Sequence, residues 1–292
     1  MTISASPQPP CKHERSPLRI GVHPANLHLT LAAAWDMQFD SLDVEFVRYD
    51  GGSQSADVLS LGQIDVCGTS SPQPLFAAAK GLDVILLAAS APRRLDGSIV
   101  VRADSPVWSL QDLVGRKIGL AQKSFQIYLL VQALEKAGLS LDDITICDVM
   151  PGAGLAVLQQ GSIDALVTLA PYQDYAMTIG NMRLLEGSEA LIPNRSIFWT
   201  LGERQLSAYA RASFFDGLER LGREVPQDVA RASYILAADA AGSVLRKSWQ
   251  RAILARDWSI HHINTTILRE LQDEADILFR HGVLERSIDL ME

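Results

Sequence analysis

From residue 18 to residue 201 the chain alternates short apolar runs with stretches of helical periodicity, and no other feature restricts the fold as much. A strand-length apolar run, an amphipathic stretch and then another such run form the pattern of a parallel sheet with helices on its faces. The pattern predicts strands at 18–22, 42–49, 64–67 and 84–89. Between them it predicts helices over 27–37 and 56–61, and a third that follows Thr69-Ser70-Ser71-Pro72 and ends at Ala79. After a strand at 97–101 and the polar loop Arg102-Ala103-Asp104-Ser105-Pro106, a second series begins. It predicts helices at 110–114, 125–137, 153–160 and 172–178, with strands at 117–120, 144–149, 165–168, 183–185 and 197–201. From Ser207 onward the pattern is helical and closes with an amphipathic stretch at 265–280.

Two such series in 292 residues suit two domains of ordinary size. The expected architecture is α/β and two-lobed, each lobe a mostly parallel sheet flanked by helices. Residues 18–103 together with 202–292 are expected to form the first lobe, 104–201 the second, and 1–17 a polar leader. Open sheets of this kind bind ligands beyond the carboxyl ends of their strands. The loops after His23, after Gly51-Gly52, at Thr69-Ser70-Ser71, at Lys123-Ser124 and after Thr168 should therefore face one cleft.

The formal charge of −8 argues against nucleic acid or an anionic membrane as partner, because both need clustered Lys and Arg. It leaves a small anion open, since helix N-termini and backbone amides hold anions locally. The three cysteines form no CxxC pair, and Cys67 and Cys147 lie in strand-like runs as small hydrophobes. No metal and no cofactor are expected. The leader MTISASPQPPCKHERSP has no apolar segment of the kind a secretion signal requires, and no later run is long enough to span a bilayer. The expected location is cytoplasmic, or periplasmic if the start codon is misassigned.

Four segments stand out. The first is Ile64-Asp65-Val66-Cys67-Gly68-Thr69 with Pro74-Leu75-Phe76-Ala77-Ala78-Ala79-Lys80-Gly81. The second is Val101-Arg102-Ala103-Asp104-Ser105-Pro106 followed by Leu110-Gln111-Asp112-Leu113-Val114-Gly115. Tyr128-Leu129-Leu130-Val131-Gln132-Ala133-Leu134-Glu135-Lys136-Ala137-Gly138-Leu139 and Gln160-Gly161-Ser162-Ile163-Asp164-Ala165-Leu166 complete the set. With them the chain resembles the sulfonate, taurine and nitrate binding proteins of ABC importers over about 18–290. The resemblance implies the type II periplasmic-binding-protein fold, a small organic anion as ligand and an ABC-transporter permease as partner. One signature departs from that family. Where the family has Trp-Asp-Pro before an aromatic, this chain has Leu169-Ala170-Pro171-Tyr172, which points away from a simple alkanesulfonate. At fold level the chain also resembles sulfinate desulfinase, with His23 standing where that enzyme has its nucleophilic cysteine. It resembles the thiamine-pyrimidine synthase of fungi too, but lacks the cysteine-rich motif of that enzyme.

Ser124 precedes the strongest helical run and would cap it, offering a hydroxyl and first-turn amides to an oxyanion, with Gln126 assisting. Thr69, Ser70 and Ser71 occupy the matching place in the first lobe and supply three hydroxyls. Ser53 and Gln54 follow a glycine turn at the same cleft. His23 would donate to an anion or, in an enzyme, act as general base. Tyr172 and Trp199 are expected as apolar walls for an organic tail, and Arg93-Arg94 as a counter-charge. Solute binding by hinge closure ranks first, the hinges expected near Val101–Asp104 and Trp199–Glu203. A cytoplasmic enzyme ranks second, and third a sensor using 265–280 as its docking surface.

Overall fold

The computed structural model describes residues 17–40, 42–93, 97–189, 193–204, 206–238 and 243–291. The leader up to residue 16, including Cys11, and Arg94 lie outside the described residues. The first series gives β1 (Leu18–Val22), α1 (Leu27–Ala34), β2 (Val44–Arg48), α2 (Ser55–Ser60), β3 (Val66–Ser70), α3 (Pro72–Ala79) and β4 (Val84–Ser90). The second gives β5 (Gly97–Arg102), β6 (Lys117–Leu120), α4 (Phe125–Lys136), β7 (Thr145–Asp148), α5 (Pro151–Gln159), β8 (Ala165–Leu169), α6 (Tyr172–Ile179) and β9 (Met182–Leu184). β10 (Ser196–Leu201) returns the chain to the first sheet. It is followed by α7 (Ala208–Glu224), α8 (Val229–Ala237), α9 (Ser243–Ala255), the short β11 (Ile260–His261) and α10 (Thr265–Arg280).

The first sheet runs β11-β4-β10-β3-β1-β2 and the second β7-β6-β8-β5-β9. Each has a parallel core, β2-β1-β3 in one and β7-β6-β8 in the other. Each also holds one antiparallel strand that has crossed from the other series. β10 lies between β3 and β4, while β5 lies between β8 and β9. The boundary expected between 103 and 104 and the one between 201 and 202 thus both come a strand too late. β5 belongs with the second sheet and β10 with the first, because an apolar run alone does not say which sheet its backbone will join.

The two crossovers touch. Arg93 and Asn194 form an antiparallel bridge, with Arg93 N donating to Asn194 O at 2.9 Å.

One apolar core is continuous through both lobes, from Ile64 and Leu75 to Ile118 and Phe125, and includes Ile267, Leu271, Ala275 and Leu278 of α10. A second lies between the first sheet and α1, α7 and Trp258, and a third beneath α5 and α6. The apolar stripe of α10 is therefore consumed inside the molecule, against α3 and α4. That withdraws the expected docking surface at 265–280.

Candidate ligand-binding cleft

The strand ends of the first lobe present His23, the turn at Gly52 and the start of α3. Those of the second present Ala121, Lys123 and the start of α4. Gln73, on the first turn of α3, joins the two edges. Its Nε2 donates to Lys123 O at 2.6 Å, while its Oε1 accepts from Ser70 Oγ at 2.8 Å. A Cβ on Gly52 would come within 3.1 Å of the His23 ring and 3.5 Å of Gln73 Nε2, so these three meet at one point.

Ser124 is the N-cap of α4: its hydroxyl accepts from Gln126 N at 3.2 Å and donates to Ala121 O at 2.7 Å. Gln126 turns its Oε1 back to Ala121 N at 2.6 Å. The pair thus fixes the loop after β6 and leaves the Gln126 amide NH2 as a donor at the second-lobe edge. Tyr172 opens α6 and is half-buried, its hydroxyl near the start of α5, and burial pushes that hydroxyl's pKa up.

In the first lobe the expected hydroxyl trio divides. Thr69 is buried, receives Trp199 Nε1 at 2.9 Å and donates to Ser70 O. Ser70 orients Gln73. Ser71 begins α3 without capping it, and its buried hydroxyl turns to the Glu274 carboxyl. Trp199 is no wall. It is wholly buried in the core, on the strand between β3 and β4, and its indole N–H is spent on Thr69 Oγ. Ser53 and Gln54 are exposed on a short 3-10 turn beside the rim.

His23 takes a role opposite to the expected one. Its Nε2 lies 2.9 Å from Gly68 O, a contact that requires the proton on Nε2 and leaves buried Nδ1 as an unpartnered acceptor. Burial lowers its pKa to about 4, so the ring is neutral near pH 7 and no donor faces an anion from it. Arg93 is likewise spent on the crossover bridge, donating to Asn194 Oδ1 at 2.9 Å. Cys67 offers no nucleophile: it is fully buried, its thiol pointing at Trp199 O, and burial drives its pKa far up.

Three residues went unrecognised in the sequence. Gln73 carries the interlobe bond, and its signal was a polar residue one turn after Ser70. Asn26 caps α1 through Leu29 N at 2.9 Å, the ordinary mark of an N-cap before an apolar helix. Glu274 is buried to 2% exposure on the apolar stripe of α10, and an acid at that position of the stripe was the clue.

Two lobes of this topology, facing each other across a polar cleft, define the type II periplasmic-binding-protein fold. A family model described as NMT1/THI5 like matches residues 39–190, more than half of the chain, and the chain belongs to that family. It is 26% identical over 291 residues to an Escherichia coli (strain K12) protein named "Putative aliphatic sulfonates-binding protein", covering 96% of this chain and 89% of that one. It is 28% identical over 131 residues to the taurine-binding periplasmic protein of the same organism, covering 44% of this chain and 39% of that one. Among solved structures it is similar to the alkanesulfonate-binding protein SsuA from Xanthomonas axonopodis pv. citri bound to MOPS. That match has a TM-score of 0.78 and 25% identity, covering 94% of this chain and 96% of that one. The periplasmic SsuA of Escherichia coli superposes at a TM-score of 0.79 with 24% identity, covering 94% and 95%. These four relatives are binding proteins by name, two of them periplasmic, and the cytoplasmic location expected from the leader finds no support among them. Among the described residues no helix is long and apolar enough to cross a membrane.

Proposed function

We propose that the chain is the substrate-binding component of an ABC importer, closing its cleft on a small organic anion of the sulfonate class in the periplasm. The observation that carries this reading is a cleft edged by polar groups from both lobes and bridged by Gln73, near which the Cys67 thiol is buried and held protonated. The whole-length similarity to aliphatic-sulfonate binding proteins supports the ligand class. Binding then needs only hinge motion at the paired crossovers, with the ligand's contacts to both lobes favouring the closed state. On this reading Ser70, Ser71 and Gln73 approach the ligand from the first lobe, and Ser124, Gln126 and Tyr172 from the second.

Calorimetric titration of the purified protein with ethanesulfonate, longer alkanesulfonates and nitrate tests the reading. A sulfonate that binds and is recovered chemically unchanged is the expected result. Gln73→Ala should then weaken it by about 1 kcal/mol, the scale of one hydrogen bond. Turnover of the ligand, or silence across the panel, would overturn the proposal.

A further inference from the structure

α9 is rooted in the first lobe and reaches the second. Trp249 and Ile253, four positions apart, share one face of the helix and are buried in the core that α1 and α7 cover. Ser248 and Arg251, three positions apart, share another face, and this one meets α6. α6 belongs to the second lobe and follows the carboxyl end of β8, the end at which the cleft lies. Its first turn carries both Asp174 and Tyr172, the residue proposed above to approach the ligand. Two positions apart, they point to different sides of α6, so α9 can hold the acid and leave the ring free.

One guanidinium ties these elements together. Arg251 Nε donates to both carboxylate oxygens of Asp174, at 3.0 and 3.1 Å, and Nη2 donates to Oδ2 as well. Nη2 also lies 3.3 Å from Thr178 Oγ1 and 3.2 Å from Ser248 Oγ. Thr178 gives its own proton to Asp174 O, which leaves its oxygen to accept. Burial opposes ionisation of Asp174, yet the Arg251 and Ser248 bonds prevail and hold its pKa below the usual carboxylate range. An isolated half-exposed ion pair contributes little, but a two-oxygen grip within a hydrogen-bonded network fixes geometry.

We propose that Arg251 is a positioning residue for ligand binding: through Asp174 it clasps α6 to the first lobe, holding Tyr172 at the cleft and favouring the closed arrangement. The inference rests on the binding function proposed above. The two halves of the clasp stand on different lobes, so parting the lobes breaks it. A contact that favours the closed arrangement raises the fraction of molecules able to hold ligand, and apparent affinity follows that fraction. Its loss is read mainly as faster release. The signs are diagnostic. Through long-range field alone, removing the cation would weaken an anionic ligand and removing the acid would strengthen it. Through the clasp, both removals weaken it.

Calorimetric and stopped-flow binding of ethanesulfonate to the wild type, Arg251→Gln, Asp174→Asn and the double variant tests this, with thermal unfolding of the same samples. Each single variant should weaken ethanesulfonate by about 3- to 10-fold, between the scales of a surface pair and a buried charged bond. The double variant should bind no more weakly than either single one, because both remove the same contact. Arg251→Lys keeps the charge without the planar fork and should recover part of the loss. Unchanged affinity in both single variants, even at lowered stability, would make the pair a staple between two helices and overturn the clasp. Opposite shifts in the two single variants, or additive losses in the double one, overturn it as well, while sulfonate binding stands. If the wild type itself binds no sulfonate, the proposed function fails and the positioning role with it.

Discussion

In the first lobe Gly62-Gln63-Ile64-Asp65 leads into β3, and in the second Gly161-Ser162-Ile163-Asp164 leads into β8. Both glycines adopt the left-handed conformation, φ 67° and 74°. Both aspartates cap the neighbouring central strand: Asp65 accepts from Arg19 N at 2.9 Å and Asp164 from Lys117 N at 2.8 Å. Both isoleucines press on a glycine of that strand, Ile64 on Gly21 and Ile163 on Gly119. Beyond this common scaffold the lobes part company. At the cleft the first lobe ends in His23 and Asn26, buried groups that retain unpartnered atoms. The second ends in the closed Ser124–Ala121–Gln126 network, its hydrogen bonds largely satisfied within itself. The scaffold is repeated because two sheets need the same strand-entry geometry, whereas the cleft edges are free to differ.

The glycine pair gives the largest expected effect. A Cβ on either glycine falls 2.4 Å from an isoleucine Cδ1, the movable end of a side chain. At Gly21 it also falls 3.0 Å from the ring of Tyr49, which is tied to Ser55 at 2.7 Å and cannot swing aside. Gly21→Ala should cost about 2–3 kcal/mol and Gly119→Ala about 1–2 kcal/mol, the range of overpacked cores. Urea unfolding of the two variants reads the difference, and equal losses would mean that Tyr49 yields as easily as Ile163.

The aspartate pair comes next. Asp65 holds the Arg19 guanidinium as well as the backbone amide, while Asp164 holds the backbone amide of Lys117. Asp65→Ala is expected to cost about 2 kcal/mol and Asp164→Ala about 1 kcal/mol, in line with charged and ordinary hydrogen bonds. Chemical denaturation of both variants measures the gap. If Arg19→Ala removes as little as a surface ion pair does, about 0–1 kcal/mol, the excess at Asp65 lies in the backbone contact.

Much of this scaffold is legible in the amino-acid sequence. The apolar runs and caps mark β1, β6 and α4 because local pattern and final environment agree there. The membership of β5 and β10 is not legible, since strand exchange is decided by pairing across the crossovers, in which no local signal takes part. The cleft is half legible. Ser124 and Ser70 stand where strand–helix junctions put serines, and hydroxyls there announce themselves. Trp199 reads the same in sequence whether it faces ligand or core. The role of His23 depends on Gly68 O, 45 positions away in the chain, and cannot be read from its neighbours.

The pH response should expose the asymmetry again, because the buried groups that bear on it between pH 4 and 8, His23, His28 and Glu274, belong to the first lobe and α10. Burial lowers His23 to about 4 and His28 well below 6.5, and raises Glu274 to about 8. Unfolded histidines take up protons below pH 6.5 that the folded ones refuse, so their contribution is complete above 6.5 and drains away as the pH falls toward 4. Glu274 behaves oppositely. Folded, it keeps a proton that the unfolded chain sheds near 4.5, and this contribution is lost as the pH rises toward 8. Between 4.5 and 6.5 the two tendencies oppose one another, and above 6.5 Glu274 acts without them. Stability of the ligand-free protein should therefore fall from pH 6.5 to 8, by at most about 1.4 kcal/mol per pH unit. Glu274→Gln should flatten that limb, and an unchanged slope would place the titration elsewhere.

The smallest effect separates the two helix caps. Asn26 and Ser124 each satisfy one first-turn amide, so alanine at either should cost about 1 kcal/mol of stability. Their surroundings differ. The Asn26 amide packs against Gly68 and Phe198 beneath the first-lobe edge, whereas Ser124 follows Lys123, whose carbonyl receives Gln73 from across the cleft. Asn26→Ala should lower stability and leave the affinity for a bound sulfonate nearly unchanged, while Ser124→Ala should lower both and Ser124→Thr should restore both. Calorimetry beside thermal unfolding measures the two quantities on the same samples. Were Ser124→Ala to change stability alone, its hydroxyl would be a cap and nothing more. The second lobe would then meet the ligand through Gln126 and Tyr172, and the lobes would differ at the cleft by one contact fewer.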